Sequence, residues 1–300
     1  MSAREPLVSV MMPCFNAERT LPMALASLRA QTYDHWEAVV VDDGSTDRSS
    51  EILNAFGDDR LRVERFDTNR GRGAARHRCL EMARGDLLSF LDADDWLFPN
   101  KLSHQVTLMR EHPEITVLGA ACVITDATGE AVGQTRTDLG PNQELAIDRF
   151  DRLGPPPVGF PPCMVRMDDA QLAQFNPAFR RSQDSDFLLQ VMLGKAYAMS
   201  ATPLYAYSQA EAASLDKTLE GYRYRLRCYG QYTERYPLRS RTQMAKTVAR
   251  MGVYKAASLL HAEQHLIARR WEELSPEAEK AFRDAKQTVV RAVGALREVS

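Results

Sequence analysis

Short apolar runs alternate with amphipathic stretches over the first hundred residues. Leu7 to Met12 is β-rich and apolar, is stopped by Pro13, and predicts a buried first strand. Asn16-Ala17-Glu18 then opens a helix, with Thr20 before Pro22 as a second capping point. Leu21, Leu25 and Leu28 give that helix one apolar face. Glu37 to Val41 predicts a second strand, and Asp42 to Asp47 a turn into a helix that runs through Leu53. Leu61 to Phe66 predicts a third strand, followed by a loop over 69–73 and a helix from Gly73 to Ala83. Leu87 to Leu91 is a fourth apolar run, short enough for one buried strand. Strand and helix alternating in this way predict a mostly parallel sheet covered on both faces.

Pro99 suits the first residue of a helix to about Arg110, and Ile115 to Ile124 is again apolar. Residues 125–160, rich in Gly, Pro and Thr, predict loops and short strands. A strand over 162–166, a helix from Asp186 to Leu193 ended by Gly194, and an extended stretch from Tyr197 to Tyr207 follow. Beyond Lys217 glycine is scarce, and residues 244–268 and 276–299 have helical periodicity. The expected organisation is a domain over 1–215 with a helical region over 216–300.

Composition changes this picture only in detail. The net charge is −2, but residues 217–300 carry 17 Lys+Arg against 9 Asp+Glu, a net of +8 that leaves −10 for the body. Five widely spaced cysteines without a CxxC pair argue against a disulfide framework or a zinc site and fit a reducing cytoplasm. The first residues form no apolar signal region, and no window holds the about 18 to 20 apolar residues that span a bilayer. The expectation is a cytoplasmic, soluble chain, at most peripheral on a membrane surface.

Ligands of open α/β sheets sit at the carboxyl ends of the strands. Those ends carry Pro13-Cys14-Phe15-Asn16, Asp42-Asp43-Gly44-Ser45 and Asp92-Ala93-Asp94-Asp95. Three carboxylates within four residues repel one another unless a cation neutralises them, and oxygen ligands suit a divalent ion that in turn binds phosphate. A solvated acidic turn is the plainer alternative. The stretch from Asn69 to Arg76 sets three arginines around two glycines, which suits a phosphate, but has neither GxGxxG nor P-loop spacing. Asp184-Ser185-Asp186 offers a carboxylate base for a hydroxyl acceptor, or equally an acidic helix start. The histidines have no ligand spacing to one another.

The order of these pieces resembles family 2 glycosyltransferases of the GT-A fold. The carriers are residues 8–18, Val40 to Asp47, Ala75-Arg76, Gly85 to Asp95, and Gln183-Asp184-Ser185-Asp186-Phe187, and the resemblance covers about residues 6–210. It implies a nucleotide-diphospho-sugar transferase fold, that is, a Rossmann-like mixed sheet flanked by helices. It also implies a nucleotide-sugar donor, UDP-linked by preference, a divalent metal (Mn²⁺ or Mg²⁺), and transfer with inversion to a glycan or lipid-linked acceptor. By the same resemblance Pro13 and Phe15 line the base pocket, Glu18 lies on the ribose side, Asp43 binds the base and Arg76 supports the donor. Asp94 is the principal metal ligand, Asp92 sits nearer the ribose or a metal-bound water, Asp95 supports the turn, and Asp184 is the catalytic base. Gln183 and His77 depart from the family's frequent Glu and Asn.

A non-catalytic sugar-nucleotide binder or scaffold on the same fold is the alternative, and a nucleotidyltransferase lacks its glycine-rich triphosphate loop. Tyr222, Arg223, Tyr224, Arg225, Arg227, Tyr229, Tyr232, Arg235 and Arg239 form an aromatic-basic stretch. It suits anionic lipid headgroups, a polyprenyl phosphate or a partner subunit such as a second copy, or else a helix packed on the body with its arginines in water. The acidic body argues against nucleic acid.

Overall fold

In a computed structural model the structure is described for residues 4–140, 143–209, 215–259 and 271–297. The first half runs β1 (Val8–Cys14), α1 (Leu21–Arg29), β2 (Trp36–Asp42), α2 (Ser49–Ala55), β3 (Leu61–Arg65), α3 (Arg72–Met82), β4 (Leu87–Phe90), β5 (Trp96–Leu97) and α4 (Lys101–Glu111). Then come β6 (Ile115–Thr125), β7 (Ala131–Gln134), β8 (Leu145–Arg149), β9 (Met164–Arg166), α5 (Met167–Ala170), α6 (Gln183–Met192) and β10 (Ala196–Ser208). Three further described helices close the chain: α7 (Leu215–Gly230), α8 (Pro237–Leu259) and α9 (Pro276–Arg297). The remainder of the helix expected over 244–268 lies outside the described residues.

The sheet is ordered β3-β2-β1-β4-β9-β6-β10-β5, with β7 beside β6 and β8 beside β10. The two-residue period of the strands explains why it is buried on both faces. Val8, Val10, Met12 and Cys14 of β1 point into one core with Leu21, Leu25 and Leu28 of α1, while Met11 points into the other with Val39, Val41 and Cys79. The parallel expectation holds for β3, β2, β1 and β4. Beyond them the sheet is mixed, as the family resemblance implies: β10 runs parallel to β6, while β9 pairs antiparallel with both β4 and β6. That return strand comes from the Pro-rich stretch before Cys163, where no helical crossover intervenes to enforce parallel pairing.

Four expected boundaries move for identifiable reasons. β1 runs through Pro13 to Cys14, because β4 pairs with it only as far as Met11 and makes no demand for the missing N–H. Helix α1 starts at Leu21 instead of Asn16, since side chains of the β2–α2 turn take the backbone N–H groups that a helix would orient. Asn16, Ala17 and Glu18 donate to Ser45 Oγ, Ser49 Oγ and Asp47 Oδ2 respectively, and Asn16 sits at φ 48°. Helix α6 starts at Gln183, three residues early, after Ser182 in the left-handed region at φ 59°. Likewise α4 begins after Pro99, because Trp96-Leu97 pairs antiparallel with β10 and Phe98 N–H donates to Leu204 O.

The C-terminal helices share the body's cores. Cys228 and Tyr229 of α7 join the cluster that contains Phe187 and Phe160. Phe282 and Val289 of α9 pack with Trp96 and Phe98.

Candidate functional site

The parallel strands β1, β2 and β4 end side by side, and their carboxyl ends bring three of the polar segments together. At the first, Pro13 is half-buried and Phe15 keeps 45% of its surface exposed, an unusual state for a phenylalanine held at a strand end. Glu18 is exposed and accepts from Arg48 N–H at 3.1 Å. At the second, Gly44 sits at φ +73°, where a Cβ would also lie 2.7 Å from the backbone of Thr68. Asp43 is buried and accepts from the N–H groups of Arg70 and Gly71 at 2.7 and 2.9 Å. Its carboxylate therefore fixes the loop that opens α3, the helix that carries Arg72 and Arg76.

At the third, carboxylate oxygens of Asp92, Asp94 and Asp95 lie within 4.8 Å of one another. Their environments differ. Arg76 is 4% exposed and its guanidinium holds Asp92 at 2.8 Å while stacking over Phe160, 4.7 Å from the ring centroid. Burial alone would raise the Asp92 carboxyl, but Arg76 and then Arg72 outweigh it and hold it below the usual carboxylate range. Asp94 is exposed, yet surrounding protein desolvates its carboxyl and Asp92 adds repulsion, so it is pushed up. Asp95 is buried and is pushed well up, by burial first and then by Asp94 and Asp92. It accepts from Tyr205 Oη at 2.8 Å and Ser208 N–H at 2.7 Å.

Three carboxylates thus share one directly paired guanidinium, and burial followed by mutual repulsion pushes Asp94 and Asp95 up. An all-oxygen donor set with such an excess fits a hard divalent cation. Asp94 is exposed and has no side-chain partner among the described residues, so it is the most open to an ion; both oxygens of Asp92 are held by Arg76 at 2.8 and 3.1 Å, and Asp95 is engaged by Tyr205 and Ser208.

The base candidate arrives from far along the chain. Asp184 lies in the first turn of α6, half-buried, with Oδ1 accepting from Ser185 N–H at 2.8 Å. Burial works against the Arg76 charge, but Asp92 and then Asp184 overcome it and the guanidinium's pKa is raised. Arg76 therefore feels both Asp92 and Asp184, although these are about ninety residues apart in sequence. Packing enforces this approach: a Cβ on Gly73, one turn before Arg76, would meet Gln183 Nε2 at 3.1 Å. Gln183 and Arg76 are both buried, and Gln183 Oε1 and Arg76 Nε have no hydrogen-bond partner among the described residues. His77 faces Glu81 on the same helix at 3.5 Å.

Two tyrosines of β10 complete the site and had escaped the sequence reading. Tyr205, fully buried, also accepts from Asp92 N–H at 3.2 Å. Tyr207 beside it is pushed up to about 12, by burial and then by Asp95, Asp92 and Asp94. In sequence they look like inward residues of an ordinary strand; only the pairing of β10 with β5 carries them to the acidic cluster. Of the readings of the aromatic-basic stretch, a helix packed on the body describes its aromatics. Tyr229 is buried, Tyr224 packs on Phe179 and Tyr222 on Tyr254, so its aromatics serve packing.

Comparison with known proteins agrees with this geometry. The family model described as "Glycosyl transferase family 2" matches residues 9–170. An Escherichia coli relative is named UDP-Glc:alpha-D-GlcNAc-diphosphoundecaprenol beta-1,3-glucosyltransferase WfgD. It is 38% identical over 103 residues, 34% of this chain and 41% of the relative. The first curated relatives are all matched over less than half of their own length. Among solved structures, S. aureus TarS 1-349 in complex with UDP-GlcNAc superposes with a TM-score of 0.64 at 20% identity, covering 96% of this chain and 83% of TarS. The mannosyltransferase PcManGT from Pyrobaculum calidifontis, in complex with GDP-Man and Mn²⁺, reaches 0.55 at 16% identity, covering 97% and 87%. These neighbours share the fold, a mixed sheet flanked by helices as in GT-A glycosyltransferases.

Proposed function

We infer that this chain, which belongs to glycosyl transferase family 2, moves a sugar from a nucleoside-diphosphate sugar to a hydroxyl of a glycan or lipid-linked acceptor. The observation that carries this reading is the buried guanidinium of Arg76, which holds Asp92 at 2.8 Å and whose charge is favoured by Asp184 as well. A donor-side acid cluster and a separate carboxylate base facing a common positive charge are what a single displacement requires.

In this reading residues 1–215 form the catalytic domain and 216–300 a helical region. Phe15 and Pro13 offer an apolar wall for the nucleotide base, with Asp43 and Glu18 at its polar edges. Asp43 also holds the loop that opens α3, whose Arg72 meets the diphosphate's charge. Asp94 and Asp92 are the residues that would hold a divalent ion, Mn²⁺ or Mg²⁺. Such an ion, when bound, neutralises charge on the departing diphosphate. Asp184 takes the proton of the acceptor hydroxyl as its oxygen attacks the anomeric carbon. The bond from that carbon to the diphosphate breaks on the opposite face, so the sugar is transferred with inversion. The second oxygen of Asp184 has no protein hydrogen bond among the described residues and is free for this proton.

UDP-linked donors are favoured by the donor in the WfgD name and by the UDP-GlcNAc bound to TarS. The test is a thermal-shift panel of UDP-, GDP- and dTDP-sugars with Mn²⁺, followed by donor turnover with and without EDTA. Stabilisation by one donor class and EDTA-sensitive turnover support the reading. Donor binding without turnover on any acceptor, or as hydrolysis, would leave a sugar-nucleotide binder instead.

A further inference from the structure

The helix α8 separates its surfaces sharply. Ser240, Met244, Thr247, Met251 and Tyr254 recur at three- and four-residue spacing, are buried or half-buried, and face the body and α7. The opposite side carries aliphatic residues in water: Leu238 is 78% exposed, Val248 and Val253 56% each, and Leu259 84%. Between them lie small exposed residues such as Ala245, Ala249 and Gly252, together with Arg241 and Thr242.

Charge sharpens the pattern. The 23 residues of α8 contain no Asp or Glu. At 100° per residue, Lys246 and Arg250 border the aliphatic face on one side and Lys255 on the other, while Arg241 lies within it beside Val248 and Leu259. All four are exposed, and none has an ion pair among the described residues. Glu220 of α7 is taken by Arg181 at 2.6 Å.

We propose that this outward face of α8 is a docking site for the anionic headgroups of a lipid bilayer, with the helix lying in the plane of the surface. An aliphatic stripe bordered on both sides by unpaired cations matches an interface that is apolar below and negatively charged above. A protein partner of ordinary kind is organised on Trp, Tyr or Phe anchors, and this face has none. The aromatic residues of the preceding stretch, which could have served as anchors, are consumed by packing on the body. The location also bears on function. Helix α7 grips the segment leading into α6: Ser182 Oγ donates to Gly221 O, and Cys228 Sγ donates to Asp186 Oδ1. The docking face is thus tied to the element that carries Asp184, which would bring the acceptor end of the site toward the bilayer.

The experiment is flotation of the full chain with vesicles of phosphatidylcholine alone or with 30% phosphatidylglycerol. Binding to the anionic vesicles only, weakened in high salt, is expected. Replacing Arg241, Lys246, Arg250 and Lys255 by Gln should lower the partition coefficient about fivefold per charge, so at least about a hundredfold together. A second variant, Val248→Ser with Val253→Ser, should also lose binding while its circular dichroism is unchanged. Hydrolysis of a water-soluble donor should stay at the parent rate in both variants, so this proposal can fail while the transfer reaction stands. No binding to anionic vesicles would overturn it. So would equal binding by the Gln variant, or sedimentation showing a dimer that the Ser variant abolishes.

Discussion

The hydroxyl of Tyr205 donates to Asp95 at 2.8 Å, from a strand that ends the chain's sheet to a turn 110 residues earlier. The same oxygen accepts from Asp92 N–H, so one buried phenol fixes both ends of the acidic turn. Tyr205→Phe keeps the ring and its packing but leaves a buried carboxylate and a backbone N–H short of a partner. A loss of about 1 to 3 kcal/mol is expected. Chemical denaturation checks this, and titration of donor with Mn²⁺ should show weaker binding in the same variant.

Asp184→Asn should bind donor as the parent does and lose turnover by about 10²-fold or more, since a general base typically contributes 10² to 10⁴. The check is a pair of measurements on one preparation, donor affinity by calorimetry and initial rate of transfer or hydrolysis. Parental turnover would remove Asp184 from the base role.

Asp94→Asn, by contrast, should act on binding. Asp94 and Asp95 both have raised carboxyl groups, by burial first and then by repulsion from the neighbouring carboxylates. Removing the Asp94 charge should make the protein itself no less stable, and should weaken Mn²⁺-dependent donor affinity by about tenfold or more, the usual scale for losing one ligand interaction. EDTA should abolish the difference between parent and variant.

Lys101 gives a pH test unrelated to the site's chemistry. It is fully buried, its Nζ donates to Ser89 Oγ and Gln105 Oε1 at 2.7 Å each, and burial lowers its pKa from 10.5 to about 7. Between pH 7 and 10.5 the unfolded chain holds a proton that the folded chain has released, so this group adds stability as pH rises. The stability of the parent relative to Lys101→Met should therefore grow from pH 7 to 9.5, by at most about 1.4 kcal/mol per unit. A difference that is flat, or that shrinks with pH, would show that Lys101 keeps its proton in the fold.

The amino-acid sequence alone determined the alternation of strands and helices up to Glu111, the covered sheet, and the strand-end positions of Pro13, Asp43 and Asp92. All of these follow from local periodicity, turn residues and the order of short motifs, which act over a few residues and so can be read in one dimension. The acidic turn and the base candidate at Asp184 were legible for the same reason.

Tertiary structure decided the rest. That β9 runs antiparallel, that α1 waits until Leu21, and that Tyr205 and Tyr207 belong to the acidic turn all depend on partners tens of residues away. So does the difference among Asp92, Asp94 and Asp95, three like residues in one turn. Arg76 lowers the first, exposure frees the second, and Tyr205 with Ser208 engages the third. Side-chain identity supplied the carboxylates; the neighbours that folding brings to each one set its charge and its part in the site.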